Sequence, residues 1–137
     1  MMAIMLYAGL LGLMMVALSL HVVRGRYRHG SALGDGEFQL LRRVRAQGNF
    51  AEYTPLFLVL LGLAEYQGMG VWAVHVLGGW YVTGRLAHAY SLLVHERYEG
   101  ERLLHWPIWR TCGMVSTFAV IGIISIALLI HYVSKSV

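Results

Sequence analysis

The chain has 137 residues, of which 58% are hydrophobic and only 13% are charged. Soluble domains usually contain about 45–50% apolar and about 25% charged residues, so this composition excludes an ordinary soluble domain and favours one membrane domain over residues 1–137. The net charge of +4 does not predict a nucleic-acid partner, because the arginines lie beside apolar segments and are better explained as a signal of membrane topology.

Four apolar segments follow one another, each close to the roughly 20 residues that a membrane-spanning helix needs. The sequence therefore predicts an all-α membrane protein, a bundle of four transmembrane helices at about residues 3–23, 40–66, 71–94 and 108–133. Gly34 and Asp35 predict a turn after the first helix. Small residues permit close helix approach, and those expected to do so are Gly78, Gly79, Gly113 and Gly122.

Basic residues are distributed unevenly between the two ends of this predicted bundle. Ten of the eleven lysines and arginines lie near the first and third connections, and only Lys135 lies at the other end. Positive charge in short loops marks the cytoplasmic side of a membrane. Both termini are therefore expected to face away from the cytoplasm, and the short loops favour a bacterial inner membrane.

The second predicted helix carries a polar stripe. Arg45, Asn49 and Glu52 are spaced at i, i+4 and i+7, which puts them on one side of a helix. A carboxylate within a membrane is costly and usually faces a partner or a polar cavity. Two interpretations remain open here: an ion network that pins helices together, or a binding site for a zwitterionic ligand.

The third predicted helix carries Arg85 and His88 at i and i+3. The short turn between the second and third helices indicates that they are neighbours, so Arg85 is a natural counter-ion for Glu52. His88 taken alone is more often a hydrogen-bonded interior histidine than a ligand. The seven histidines include no H-x-x-x-H or E-x-x-H pair, and no metal site is predicted.

Residues 45–57, R-A-Q-G-N-F-A-E-Y-T-P-L-F, resemble the second-helix motif of the MAPEG superfamily, the membrane-associated proteins in eicosanoid and glutathione metabolism. The similarity is greatest to its leukotriene C4 synthase and microsomal glutathione transferase branches. Residues 84–90, G-R-L-A-H-A-Y, resemble the third-helix motif. Residues 19–26 and 107–111 resemble the end of the first helix and the start of the fourth. The resemblance covers all four helices in order, and the second-helix motif is its specific part.

That resemblance implies a homotrimer that binds glutathione as cosubstrate and activates its thiol against lipophilic small molecules in membrane lipid. It implies that Arg110 is the catalytic residue at the sulfur, with Arg102 as a rival because the preceding loop is long. Arg85 is implied to hold Glu52 in place. The glutathione contacts that it implies are Arg26, Arg45, Gln47, Asn49, Glu52, Tyr53 and His88. One departure is Leu92, where family enzymes often have tyrosine.

Two other functions compete with a glutathione transferase or peroxidase. One is a non-catalytic trimer of the same superfamily that binds lipid or glutathione. A pure lipid binder has no need of a site for a charged tripeptide. A small four-helix drug–proton exporter depends on a carboxylate that takes up protons. Arg45 and Arg85 are expected to keep Glu52 ionised, which disfavours the exporter.

Overall fold

The computed structural model describes residues 2–30, 38–99 and 102–136. Its architecture is helical, as predicted, with a π-helical turn at Ser91–His95 and a short antiparallel hairpin between the third and fourth helices. The four helices are α1 (Ala3–His29), α2 (Phe38–Tyr66), α3 (Val71–Tyr90) and α4 (Ile108–Ser136), and the hairpin strands are β1 (Tyr98–Glu99) and β2 (Arg102–Leu103).

The first helix is longer than predicted. It continues through the arginine-rich segment to His29 instead of ending near residue 23. Arginine has a high helix propensity, so nothing in this segment ends the helix until Gly30. Gly30 adopts a left-handed conformation with φ of 62°, and its N–H caps the carbonyl of Arg26. The turn predicted at Gly34 and Asp35 lies outside the described residues.

The third helix ends differently from the prediction. Regular α-helix stops at Tyr90, and the following π-helical turn carries the chain to His95. The backbone N–H of Glu96 bonds to the Ser91 carbonyl, five residues earlier. After this wider turn, the side chain of Glu96 is buried. Hydrophobic periodicity does not distinguish a π-turn from an α-turn over so few residues.

Close helix approach is achieved at two of the four predicted glycines. A Cβ added to Gly113 on α4 would lie 2.6 Å from the carbonyl oxygen of Gly84 on α3. A Cβ added to Gly78 would lie 2.4 Å from the Tyr7 ring on α1. No atom lies within 4 Å of a Cβ added to Gly79 or Gly122. The prediction that these two glycines permit close helix approach was therefore wrong within the single chain.

A carboxylate joins the two helix ends at the side of the bundle opposite the hairpin. Glu65, near the end of α2, accepts hydrogen bonds from the backbone N–H groups of Ala3 and Ile4, both at 3.0 Å. The first turn of a helix has unpaired N–H groups and a partial positive charge. Glu65 therefore caps α1 and fixes α2 beside it.

Two helices, over Ala3–Arg28 and Ile108–Ser136, are long and apolar enough to cross a membrane within the part of the chain that the structure describes. Both present exposed apolar side chains, including Leu13 and Leu129. The polar stripe of α2 and the polar side chains of α3, among them Arg85 and His88, lower the hydropathy of these two helices. Spanning by α2 and α3 remains a prediction.

Candidate functional site

A polar cavity of about 600 Å³ lies among α2, α3 and α4. Its volume is within the roughly 300–1,000 Å³ of small-molecule sites. The side chains of the α2 stripe line it together with residues of the other two helices. The lining residues are Val44, Arg45, Gly48, Asn49, Glu52, His88, Leu92 and Arg110. Five of the residues expected at the glutathione site therefore share one cavity.

Arg85 does not form the expected ion pair with Glu52. Its Nη1 donates instead to the Asn49 side-chain oxygen at 2.6 Å, and its Nη2 donates to Thr117 Oγ1 and to the Gly113 carbonyl at 3.3 Å. The side chain of Arg85 is 1% exposed. Arg85 thus joins α3 to both α2 and α4, and the expectation that it holds Glu52 was wrong.

Glu52 is exposed at the open side of the cavity. Within residues 2–30, 38–99 and 102–136, no cation lies within ion-pair distance of its carboxylate. Neither Arg45 nor Arg85 therefore forms the expected ion pair with Glu52. The carboxylate is instead available to a cation from outside the chain.

His88 and Arg110 form the wall opposite the α2 stripe. His88 is buried, and its Nδ1 lies 3.4 Å from the Arg110 carbonyl oxygen. Arg110 lies in the first turn of the fourth helix, and its side chain is 34% exposed. It lines the polar cavity and also a second cavity of about 530 Å³ beside the hairpin, whose walls include Leu104, Trp106 and Pro107.

The structure distinguishes the two arginines proposed for the thiol position. Arg110 points into the polar cavity that contains the α2 stripe. Arg102 is exposed on strand β2 and lines neither of the two cavities that contain Arg110. The geometry therefore favours Arg110 over Arg102.

Three residues expected at the ligand do not line this cavity. Gln47 faces α1, where its Nε2 donates to Ser19 Oγ at 2.9 Å. Tyr53 packs edge-on against Phe118 of α4, with ring centroids 5.6 Å apart. Arg26 is half-buried on α1. Two residues along a helix correspond to about 200° of rotation, which explains why Gln47 faces away from Arg45.

A carboxylate that the sequence analysis did not identify contacts the cavity wall. The side chain of Glu96 is 1% exposed, and its Oε2 accepts from Arg110 Nη1 at 3.2 Å. Its Oε1 accepts from Ser91 Oγ at 2.9 Å, and Tyr98 OH donates to Oε2. Burial and the hydrogen bond to Glu96 raise the pKa of Tyr98, so this phenol retains its proton at neutral pH.

No sequence pattern predicts the pairing of Glu96 with Arg110. The two residues are 14 positions apart, and the hairpin lies between them. A charged residue in a loop is usually solvated.

Among the described residues, no group of three or more His, Cys, Asp or Glu side chains is positioned to hold a metal ion.

Comparison with known proteins agrees with a helical membrane protein. The model of the MAPEG family matches residues 4–130. The chain is also similar to the inner membrane protein YecN of Escherichia coli strain K12 and of Escherichia coli O6:H1 strain CFT073. Each is 35% identical over 123 residues, which cover 89% of this chain and 86% of the relative. The chain is therefore a membrane protein and belongs to the MAPEG family.

Proposed function

We propose that this chain is a membrane-bound glutathione-dependent transferase or peroxidase that stabilises the glutathione thiolate for attack on lipophilic electrophiles. The observation that supports it most is the single cavity lined by Arg45, Asn49, Glu52, His88 and Arg110. Glutathione carries an ammonium group, two carboxylates and a thiol. A site for it needs both signs of charge, and this cavity has both.

Each polar group of the ligand has a partner in the proposal. Glu52 binds the amino group, and Arg45 and Arg26 bind the carboxylates. The Asn49 oxygen already accepts from Arg85, so the Asn49 amide N–H groups are available to donate to the ligand. Further polar contacts are assigned to Gln47, Tyr53 and His88.

Arg110 is assigned to the sulfur. A thiol with an unperturbed pKa of about 8.5 is mostly protonated at neutral pH, while the thiolate is the nucleophile. A guanidinium within hydrogen-bond distance stabilises the anion and does not lose its own proton. In conjugation, the sulfur forms a bond to an electrophilic carbon, and the leaving group takes the electron pair. In peroxidase chemistry, the sulfur attacks the outer oxygen of a hydroperoxide and keeps it as a sulfenic acid, while the O–O bond breaks and the remaining oxygen leaves as an alcohol after protonation. The thiol of a second glutathione then attacks the sulfenic sulfur, which forms the disulfide and releases water.

Assembly into a homotrimer is part of the proposal. Arg45 and Glu52 are exposed in the single chain, although they lie on a helix expected to cross the membrane. Exposed charges at that depth are costly unless another protein surface or a polar cavity covers them. Arg26 lines no part of its own chain's polar cavity, so its assigned role requires the cavity of another copy. Membrane lipid covers the remaining apolar faces.

A non-catalytic trimer that binds lipid or glutathione is the alternative. Two observations favour it. Arg110 is already bonded to Glu96, so part of its charge is neutralised within the chain. Leu92 also lines the cavity at the position where family enzymes often have tyrosine. These features are compatible with ligand binding without thiol activation.

The test is a calorimetric titration of the purified, detergent-solubilised protein with glutathione, combined with activity assays on three electrophiles. The electrophiles are a halonitrobenzene, a lipid hydroperoxide and an epoxide. The proposal expects saturable binding and turnover of at least one of them. Binding without turnover of any of the three supports the alternative. Absence of glutathione binding by a folded protein contradicts the glutathione site in both.

A further inference from the structure

The guanidinium of Arg110 is held at one edge by a buried carboxylate. Arg110 Nη1 donates to Glu96 Oε2 at 3.2 Å, while the Arg110 side chain remains 34% exposed and lines the polar cavity. Glu96 lines neither of the cavities that contain Arg110, and its side chain is 1% exposed. Glu96 therefore reaches a ligand only through Arg110.

The carboxylate itself is fixed from several directions. Ser91 Oγ donates to Oε1 at 2.9 Å, and Tyr98 OH donates to Oε2. Arg42 of α2 donates to the Glu96 backbone carbonyl at 3.0 Å, and its guanidinium lies 5.0 Å from the centre of the Tyr98 ring. Residues from α2, the π-helical turn and the hairpin thus fix the position of Glu96, and Glu96 in turn binds Arg110.

We propose that Glu96 is the positioning residue for Arg110. By binding Nη1, it sets the plane of the guanidinium and leaves Nη2 and Nε for the sulfur of a bound ligand. This inference rests on the proposed function, because it assumes that Arg110 meets a thiolate. Small displacements of a catalytic group lower rates strongly, by up to about 100-fold for a shift on the order of 1 Å.

Two effects of Glu96 on a bound thiol have opposite signs, which makes the inference testable. The negative charge of Glu96 disfavours a nearby thiolate, so the loss of this charge would by itself lower the thiol pKa. If Glu96 also holds Arg110 at the sulfur, it favours the thiolate, and the loss of this contact raises the thiol pKa. The other titratable groups around it are Arg42, His88, Tyr98 and Arg110, and none of them changes in a Glu96→Gln variant.

The experiment follows thiolate absorbance at about 240 nm against pH, with glutathione bound to the purified protein. Glu96→Gln is expected to raise the bound-thiol pKa by about one unit, which lowers the ratio of thiolate to thiol about tenfold at a given pH. At a pH well below the bound-thiol pKa, where glutathione binds as the thiol, its Kd is expected to change by less than about twofold, since Glu96 does not touch the ligand. Glu99→Gln, on the exposed strand β1, is the matched control and should behave as wild type.

Glu96→Asp keeps the negative charge but moves the carboxylate away from Arg110, because its side chain is one methylene shorter. This variant replaces Glu96→Gln in the experiment if Glu96→Gln does not fold. Positioning predicts a raised thiol pKa for Glu96→Asp as well, and a pKa equal to that of wild type overturns the inference. In an Arg110→Leu background, Glu96→Gln should cause no further rise.

A lowered or unchanged thiol pKa in Glu96→Gln overturns the inference alone and leaves the proposed function standing. A wild type that binds glutathione with an unperturbed thiol contradicts the enzymatic function and this inference with it.

Discussion

The Arg85 guanidinium donates to the Asn49 side-chain oxygen at 2.6 Å, and this bond joins α3 to the polar stripe of α2. The same side chain also donates to Thr117 and to the Gly113 carbonyl on α4. One buried planar group therefore connects three helices. A flexible lysine ammonium does not reproduce this fork of donors.

Arg85→Lys is expected to lower the thermal unfolding midpoint of the detergent-solubilised protein. Each buried polar group that loses its partner costs about 1–3 kcal/mol. Arg97→Lys is the control, because Arg97 is exposed in the connection after the π-helical turn. Equal midpoints for both variants would mean that the three-helix connection contributes nothing to stability.

Gly113→Ala is expected to separate α3 from α4. The added methyl group would meet the Gly84 carbonyl oxygen at 2.6 Å and the His88 Cβ at 2.8 Å, and the carbonyl cannot move aside as a flexible side chain can. Overpacking of this kind costs about 1–3 kcal/mol. Gly122→Ala on the same helix meets nothing within 4 Å and should be neutral or slightly stabilising. Thermal unfolding of the pair measures the difference, and similar midpoints would argue against the close contact.

Glu52→Gln is expected to weaken glutathione binding, because it removes the charge assigned to the ligand's amino group and keeps the shape. The loss should be about 1.5–3 kcal/mol, typical of a hydrogen bond to a charged group. Calorimetric titration at neutral pH measures it, with Glu99→Gln as a charge-matched control on the exposed hairpin. Unchanged affinity in a well-folded Glu52→Gln variant would indicate that the α2 stripe is structural.

The uneven distribution of arginine predicts the orientation of the chain. In a background that lacks Cys112, the sole cysteine, Tyr27→Cys should be protected from an impermeant thiol reagent in intact cells. Ser136→Cys, at the end of α4, should react. Both positions are exposed, and permeabilised cells provide the control for access. Labelling at residue 27 but not at residue 136 would reverse the proposed orientation.

Sequence patterns predicted the helices and the α2 stripe because both depend on periodicity alone. The spacing of Arg45, Asn49 and Glu52 is helical, and all three side chains line one cavity in the structure. Periodicity does not fix the height at which a side chain from the neighbouring helix arrives. Arg85 therefore reaches Asn49, which lies one turn from the expected partner Glu52.

The pairing of Glu96 with Arg110 was beyond sequence reasoning for a different reason. It depends on the π-helical turn after Tyr90 and on the hairpin, which together return the chain beneath α4. Neither feature has a hydrophobic period that a sequence reveals. The contact between Glu96 and Arg110 is consequently the part of the site that the sequence alone does not predict.

The most direct test of the account separates binding of glutathione from activation of its thiol. Arg45 is assigned to a carboxylate, so Arg45→Leu should weaken glutathione binding and leave the pKa of the bound thiol largely unchanged. Arg110 is assigned to the sulfur, so Arg110→Leu should raise that pKa and, at a pH where glutathione binds as the thiol, keep most of the binding. Each pKa unit corresponds to about 1.4 kcal/mol of lost thiolate stabilisation. Arg102→Leu, on the exposed strand β2, is the control.

The decisive measurement is the ultraviolet titration of protein-bound glutathione in wild type and Arg110→Leu. The account predicts thiolate at neutral pH in the wild type, and in Arg110→Leu only under more alkaline conditions. A shift caused by Arg102→Leu but not by Arg110→Leu would move the catalytic role to Arg102. Identical titration curves for wild type and both variants would contradict thiolate stabilisation by either arginine and favour the non-catalytic alternative.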